Sequence, residues 1–446
     1  GENIKCGNSL IGPDYYDGQQ MALFDEEERY RVNAFDWQAE YPQAFANGGF
    51  DCVIGNPPYR LMQPNNTEQL TLDYFRRKFY AVEYKIDLFL LFIQLGISIL
   101  NNTGKHGYII PATILNNVYA EKLRKWILEK CKIKIIAIAE DKVFEQADVY
   151  TLVLVLEKEI ISKIRNNNNL LVTTNLSKEF SERIDSYSLV SQKHFNSLPG
   201  NVWNVLLNEE NANLIVRLSK NFTNLGSIAK LNRGLITGNK QKFFSNIKIN
   251  DTYIPIIAGA DVSRYSVKDP HEFVFFSKPK GSGGSWDSNM HLADHKMVVR
   301  QIGVIPMGTI IDQHYAITGN LFSVMCHEIT DELFILGIFN SKLIKFFWKI
   351  MFSDFKNSFP QVTLFSLSQI PIKEIDIKKV DKLNQKEKLI TCVKSMLSLN
   401  KNVKNAKLPS ELERIQREIE MTDRQIDKLV YELYGLSEEE IRIVEG

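Results

Sequence analysis

The residues with the clearest chemical potential are Asn56-Pro57-Pro58-Tyr59, which follow the apolar run 50–55. Prolines fix φ and cannot continue a ladder, so the pattern predicts a buried strand that ends in a rigid extended turn. The turn presents the Asn56 amide oxygen and the Pro57 carbonyl as acceptors, with the flat Tyr59 ring beside them. Two acceptors next to an aromatic ring suit a planar amine.

The elements that must position this turn are predicted from periodicity. Between 50 and 157, short β-rich runs alternate with amphipathic segments, a pattern typical of βαβ units and of a parallel sheet. Open α/β sheets bind ligands at the carboxyl ends of their strands. We therefore expect the turn to lie at the ligand-binding edge of an α/β sheet.

The chain is predicted to contain four segments. Residues 1–160 form the α/β part, 161–220 a connecting region with a loop at 165–169, and 221–375 a mixed α+β domain. The run 281–285 is predicted to be a flexible loop. In 376–446, apolar residues recur three and four apart in two stripes around 407–410, which predicts an antiparallel helical hairpin with a packing role.

Charge and composition narrow the partners. The net charge is +1, but residues 1–160 carry 17 basic and 22 acidic residues, whereas 221–373 carry 16 basic and 11 acidic ones. The middle domain is thus the better candidate for phosphate contacts. Five scattered cysteines without a C-x-x-C pair favour a reducing, cytoplasmic compartment, and no apolar run approaches the ~20 residues of a membrane span.

The turn and its context resemble a known family, the adenine-N6 DNA methyltransferases of restriction-modification systems in which a specificity domain follows the catalytic one. Asn-Pro-Pro-Tyr is the hallmark of that family. The resemblance implies a partial Rossmann-like methyltransferase sheet, S-adenosylmethionine as cofactor, and double-stranded DNA as substrate. Asn56, Pro57 and Pro58 would hold the amine of a flipped-out adenine, and Tyr59 would stack on the base.

Three further site residues follow from the resemblance. Asn8, in Ile4–Leu10, matches a strand-end position that bonds the cofactor's adenine amine, where the family often has Asp. Phe92 matches the helix that lines the cofactor pocket, although its helical spacing also suits a core position. Phe144 matches the residue that stacks on the other face of the flipped adenine, and it too could be a core residue.

The resemblance continues through the middle domain, which looks like the family's specificity domain. Its landmarks are 232–239, 259–265, 296–300 and 339–342. Glycines there permit turns and close backbone approach. The basic residues offered to phosphate or guanine are Arg233, Lys240, Lys242, Arg264 and Arg300.

The family's Gly-rich cofactor turn and its ribose-binding acid have no match in the sequence. We therefore expect residues 1–446 to act as a C-terminal portion that alone binds S-adenosylmethionine poorly and does not methylate DNA. Nuclease motifs are also absent, so cleavage would need a domain or subunit upstream. His291 and His295 lie four apart without a third ligand, so no metal site is predicted.

Two other functions remain open from the sequence. Asn-Pro-Pro-aromatic turns also serve protein-glutamine and ribosomal-RNA methyltransferases, although the large basic domain favours duplex DNA. The chain could instead be a non-catalytic DNA-specificity module. Against this, a pure reader would have no chemical reason to carry the turn.

Overall fold

The computed structural model describes residues 3–17, 26–139, 150–176, 187–303, 305–326, 328–352, 361–375 and 380–446. The chain divides into two compact units, Gly1–Ala212 and Asn213–Gly446.

The first unit is an α/β structure. Its strands are β1 (Phe50–Gly55), β2 (Leu61–Met62), β3 (Ile86–Asp87), β4 (Leu100–Pro111), β5 (Cys131–Ala139), β6 (Thr151–Lys158), β7 (Asn169–Leu176) and β8 (Ser188–Ser191). Its helices are α1 (Glu26–Val32), α2 (Trp37–Glu40), α3 (Pro42–Ala46), α4 (Gln69–Lys78), α5 (Leu88–Ser98), α6 (Glu121–Lys130) and α7 (Ser162–Asn166).

Six of these strands form one sheet in the order β1-β4-β6-β5-β7-β8. The predicted βαβ unit is present, because β1 and β4 pair in parallel and α5 connects them. The prediction of a parallel sheet was wrong for β6, which is antiparallel to both β4 and β5. Fewer than a dozen residues separate β5 from β6, and a parallel crossover needs at least that many.

The segment 161–220, predicted as a connecting region, contributes two strands to this sheet. β7 pairs in parallel with β5, and β8 pairs with β7. Its predicted loop at 165–169 contains the end of α7 and the start of β7. Asn168 and Gln192 are buried and hydrogen bond to each other at 2.9 Å, and the Gln192 amide donates to the Cys131 carbonyl. Because the hydrophobic periodicity of residues 161–220 is weak, the sequence did not predict these two strands.

The interior between α5 and the sheet contains one buried imidazole. His106 on β4 is 0% exposed, and its ring centroid lies 3.9 Å from that of Tyr108. A Cβ atom on Gly96 of α5 would come within 2.9 Å of the His106 ring, so glycine is what lets the helix approach. Neither ring nitrogen has a hydrogen-bond partner among the described residues.

The second unit contains short strands followed by long helices. The boundary between units falls within α8 (Glu209–Asn221). The strands are β9 (Thr223–Asn224), β10 (Lys230–Arg233), β11 (Phe244–Ser245), β12 (Tyr253–Ile257), β13 (Val262–Ser263), β14 (Ser266–Val267), β15 (Glu272–Phe275), β16 (Lys296–Arg300), β17 (Gly308–Ile311), β18 (Ala316–Ile317), β19 (Leu321–Met325) and β20 (Pro371–Ile372). The helices are α9 (Leu225–Ile228), α10 (Lys240–Phe243), α11 (Ser288–His291), α12 (Ile329–Phe339), α13 (Lys342–Phe352), α14 (Leu364–Ser368), α15 (Val380–Asn405), α16 (Pro409–Tyr434) and α17 (Glu438–Glu445).

Two four-stranded sheets form the centre of this unit. One has the order β10-β19-β16-β17, and the other has the order β11-β15-β12-β18. Residues from both sheets meet in one apolar cluster that includes Val298, Leu321, Ile257 and Ile317, each 0% exposed. The predicted mixed α+β domain is therefore present.

The loop at 281–285 is ordered by contacts that its composition did not predict. Gly283 and Ile236 exchange two backbone hydrogen bonds of 3.0 Å, and the Ser285 amide donates to the Arg233 carbonyl. A Cβ atom on Gly284, which has a φ of +68°, would lie 2.0 Å from the Gly234 carbonyl oxygen. The glycines thus allow two backbone segments to pack directly together.

The predicted helical hairpin is confirmed. α15 and α16 are each 26 residues long and are joined by a short connection before Pro409. Val393, Ile390, Ile415 and Ile426 from the two predicted stripes are buried.

Candidate functional site

The turn at Asn56 leaves the sheet where β1 ends. The last pair of the β1–β4 ladder is Gly55 with Tyr108, after which Pro57 and Pro58 end the strand. Asn56 is exposed and Pro57 is buried, so the asparagine amide faces outward from an anchored turn. The exposed position of Asn56 agrees with the predicted turn, whereas the predicted role of the Pro57 carbonyl as a second acceptor stays a prediction.

The strand that carries the turn is less buried than predicted. β1 pairs only with β4 among the described residues, and it lies at one edge of the sheet. Ile54 is 81% exposed although its side chain is apolar. The expectation of a buried strand was therefore wrong, since an apolar sequence does not reveal how many neighbours a strand has.

Tyr59 is fixed in place by its hydroxyl group. Its Oη atom donates to the Ile109 carbonyl at 3.0 Å, one residue beyond the end of the β1–β4 ladder. The ring also makes an edge contact with Phe89 of α5 at 6.4 Å between centroids. Burial raises the pKa of Tyr59 to about 12, so the hydroxyl stays a neutral donor. The ring orientation is therefore set before any ligand arrives.

A carboxyl group that the sequence analysis did not identify as a site residue lies next to the segment that follows the turn. Asp87 pairs with Leu61 in the β2–β3 ladder, and the Leu88 amide donates to the Arg60 carbonyl at 3.0 Å. Burial raises the pKa of Asp87 to about 6, and the Phe89 and Leu88 amides partly offset this effect. Its Oδ1 atom is buried without a partner among the described residues. An acid directly before an apolar helix was the available sequence signal.

Two of the predicted cofactor residues lie on neighbouring elements. The Asn8 backbone N–H donates to the Asn33 backbone carbonyl at 2.6 Å. The exposed Asn8 side chain accepts from the Leu10 backbone N–H at 3.3 Å. Phe92 is half-buried and packs against the apolar cluster that contains Leu10. The Asn8 side-chain oxygen retains a second lone pair that can accept a further hydrogen bond.

A cavity of about 330 Å³ is lined by Ser9 and Leu10, the two residues that follow Asn8 in the chain. Trp37 and Ser98, at the end of α5, also line it. Trp37 contacts Phe50 at the start of β1, so the cavity lies towards the opposite end of β1 from the Asn56 turn. Neither Asn8 nor Phe92 lines it. Phe144, the third residue named from the sequence, lies outside the described residues.

Arg264 differs from the other four basic residues that were predicted to contact DNA. Its guanidinium forms an ion pair with both carboxylate oxygens of Asp423 and donates to the Asn340 carbonyl at 2.7 Å. The guanidinium is therefore held within the protein, a role that the sequence did not predict. Its donors bind α16 to the end of α12, a contact between residues distant in the sequence.

Arg233 and Arg300 lie at the same end of one sheet. Arg233 is paired with Phe322 and Arg300 with Leu321 of β19, which lies between their two strands. Their Cα atoms are therefore about 10 Å apart. The Arg233 Nε donates to the Gly319 carbonyl at 2.6 Å, and its Nη2 approaches the Gln301 amide oxygen at 3.3 Å. Gln301 was not named from the sequence.

Lys240 and Lys242 lie on the short exposed helix α10, which follows Arg233 after a glycine-containing loop. Lys240 pairs with Glu272 at 2.8 Å and lies over the Phe244 ring. Lys242 lies over the Phe243 ring. Both ammonium groups remain at the surface, where they could contact phosphate.

The two histidines that lie four residues apart, His291 and His295, make hydrogen bonds within the protein. His291 is buried, and its ring nitrogens contact the Ser285 carbonyl and the Ile317 amide. His295 lies 3.0 Å from the Glu332 carboxylate. The described residues contain no group of three or more His, Cys, Asp or Glu side chains placed to hold a metal ion. In the same part of the chain, no helix is both long and apolar enough to span a bilayer.

Comparison with known proteins finds one matching family model in each of the two units. Residues 2–144 match the Eco57I restriction-modification methylase family, and residues 254–372 match the TaqI-like C-terminal specificity domain. The chain is 31% identical over 261 residues to the type II restriction enzyme and methyltransferase RM.Eco57I of Escherichia coli, covering 56% of this chain and 24% of that protein.

Two further similarities cover more of the chain. It is 26% identical over 368 residues to a putative type II restriction enzyme and methyltransferase of Methanocaldococcus jannaschii, covering 78% of this chain and 29% of that one. The chain therefore spans under a third of either relative. A solved structure of the type IIL restriction-modification enzyme MmeI in complex with DNA has a similar fold, with a TM-score of 0.60 at 11% identity over 92% of this chain and 57% of that one. The match to the restriction-modification methylase family thus lies in the first unit, and the match to the specificity domain lies in the second.

Proposed function

We propose that this protein transfers a methyl group to adenine N6 of a flipped-out base in duplex DNA, as part of a restriction-modification system. One observation carries the proposal. Asn56 lies exposed after the end of β1, three residues before Tyr59, whose hydroxyl donates to the Ile109 carbonyl. An outward amide acceptor next to a preset aromatic face suits a flat base that carries an amine.

The Asn56 Oδ1 and the Pro57 carbonyl would accept the two N6 hydrogens. An exocyclic amine is a weak nucleophile because its lone pair is delocalised into the ring. Holding both hydrogens outside the ring plane favours a tetrahedral nitrogen, and these bonds strengthen as positive charge develops on it. The geometry thus stabilises the transition state more than the bound base.

Tyr59 would support one face of the base. Extruding a base costs a few kcal/mol, and stacking on an aromatic ring offsets part of that cost. The hydrogen bond to Ile109 fixes this ring in advance, which reduces the entropy lost on capture. We propose Phe144 as the second face.

S-adenosylmethionine would supply the methyl group as an electrophilic sulfonium: its S–CH₃ bond would break as the N6–CH₃ bond forms, the neutral thioether would leave, and the methylated nitrogen would lose one proton to water. Asn8 would accept from its adenine amine, and Phe92 would pack against its ring. The proposal divides the work between residues 1–160, which would hold base and cofactor, and residues 221–375, which would contact the DNA. In the second part, Arg233, Lys240, Lys242 and Arg300 are the basic residues we assign to DNA.

The test is the methylation state of DNA from cells that express the complete gene. Sequencing that maps N6-methyladenine should find one modified sequence, and Asn56→Ala should abolish the modification while leaving DNA affinity nearly unchanged. Asn65→Ala is the matched control, since Asn65 is an exposed asparagine on the following loop.

Two results would redirect the assignment. Methyl label from S-adenosylmethionine in protein or ribosomal RNA, but not in DNA, would move the substrate to another amine. Equal loss of methylation and DNA binding in Asn56→Ala would give the turn a structural role only.

A further inference from the structure

An exposed tyrosine, Tyr84, and a half-buried one, Tyr119, form an aromatic pair at the same edge of the sheet as the Asn56 turn. Tyr84 is 82% exposed, and its ring lies 6.0 Å from that of Tyr119 with 32° between the planes. Lys85 places its ammonium 5.1 Å from the Tyr119 ring centroid. We call these three residues the tyrosine platform. The reactions assigned to Asn56 and Tyr59 do not use them.

The topology fixes the location of the platform. Tyr84 and Lys85 directly precede β3, which pairs with β2 just after the turn. Tyr119 lies in the connection that follows the carboxyl end of β4, the parallel neighbour of β1. Carboxyl ends of parallel strands meet at one edge, so the platform and the turn share the edge at which open α/β sheets bind ligands.

Hydrogen bonds anchor the two segments that carry the tyrosine platform. Arg124 is 1% exposed and donates to the carbonyls of Ile114 and Asn117 in the connection that carries Tyr119. The Asn117 side chain accepts from the Tyr119 amide at 2.9 Å. The Glu83 carboxylate accepts from the Lys122 amide at the start of α6, which ties the Tyr84 segment to the same support. A large exposed ring on an anchored loop is not explained by packing.

We propose that the tyrosine platform stacks an unpaired nucleobase of the DNA, adjacent to the base held at Asn56, while Lys85 contacts its phosphate. Tyr84 is 82% exposed, so most of its surface is accessible to a ligand. A flat ring with an adjacent cation matches a base and its phosphate, and stacking accepts any base because each has a π face. The inference rests on the proposed function, since it takes DNA as the substrate.

The experiment measures binding of the full chain to two short duplexes, one fully paired and one with a single bulged 2-aminopurine. The wild type should prefer the bulged duplex and quench its fluorescence. Tyr84→Ala should weaken binding to the bulged duplex by about five- to a hundredfold, with little change for the paired one. Tyr84→Phe should retain the preference because the ring remains.

Tyr30→Ala is the matched control, because Tyr30 is 88% exposed on α1. Lys85→Ala should reduce the slope of log affinity against log salt by about one, as for a single lost phosphate contact. Both substitutions are at the surface, and far-ultraviolet circular dichroism checks that the variants fold.

The outcomes separate the two proposals. If Tyr84→Ala binds both duplexes like the wild type, or if Tyr30→Ala loses the same amount, the tyrosine platform is not a base-binding surface. If the wild type binds neither duplex, the assignment of DNA fails together with the platform. A Tyr84-dependent preference in a protein whose complete gene leaves no methylated adenine would support the platform and overturn the proposed reaction.

Discussion

Replacing the buried imidazole of His106 should make the first unit less sensitive to acid. Burial lowers the pKa of His106 to about 3, whereas the unfolded chain has an ordinary value of about 6.5. Below pH 6.5 the unfolded chain therefore takes up a proton that the folded chain refuses, so the free energy of unfolding falls as the pH falls toward 3. His106→Leu removes this proton from both states.

The magnitude follows from linkage. The loss is about 1.4 kcal/mol per pH unit, or roughly 2 kcal/mol between pH 6.5 and pH 5. Val53 and Leu156 lie beside His106 on the neighbouring strands, and Gly96 faces it from α5. The Tyr108 hydroxyl is the titratable group in contact, and its pKa is raised to about 12, so it stays neutral throughout.

The variant should also be at least as stable as the wild type at pH 7. Both ring nitrogens of His106 are buried without partners among the described residues, so the imidazole is desolvated without compensation. Leucine is similar in size and has no polar atoms to desolvate.

The assay is urea unfolding of the wild type and His106→Leu at pH 7 and pH 5, with hydrogen exchange of the β4 and β6 amides to locate the effect in the first unit. His271→Leu is the control because His271 is exposed in the second unit. A wild type and a His106→Leu variant that lose equal stability between the two pH values would refute the reasoning.

Three further predictions concern the site. Tyr59→Phe removes the bond to Ile109 but keeps the ring, so methylation by the complete gene product should fall only a few-fold, and an unstructured turn in that variant would contradict the assigned role. Arg264→Ala should lower the free energy of unfolding of the second unit, measured in urea, by about 3 kcal/mol because it leaves Asp423 unpaired. Arg300→Ala should leave that free energy unchanged and weaken DNA binding, with a smaller slope of log affinity against log salt.

Local patterns in the sequence accounted for several features of the fold. Two prolines after an apolar run specify a turn wherever that strand lies, and the outward position of Asn56 followed from them. Apolar residues three and four apart specify helical stripes, and two such stripes around a short connection specified the hairpin of α15 and α16. The order of the two domain types was likewise evident from motifs along the chain.

Tertiary structure decided whatever depends on residues far apart in the chain. Arg264 is 159 residues from Asp423, and no local pattern indicates that this arginine binds a carboxylate rather than a phosphate. The direction of β6, the burial of His106 and the approach of Tyr84 to Tyr119 also depend on which elements pair. Local sequence determines the conformation of each segment, but burial and pairing are set by neighbours that the segment itself does not encode.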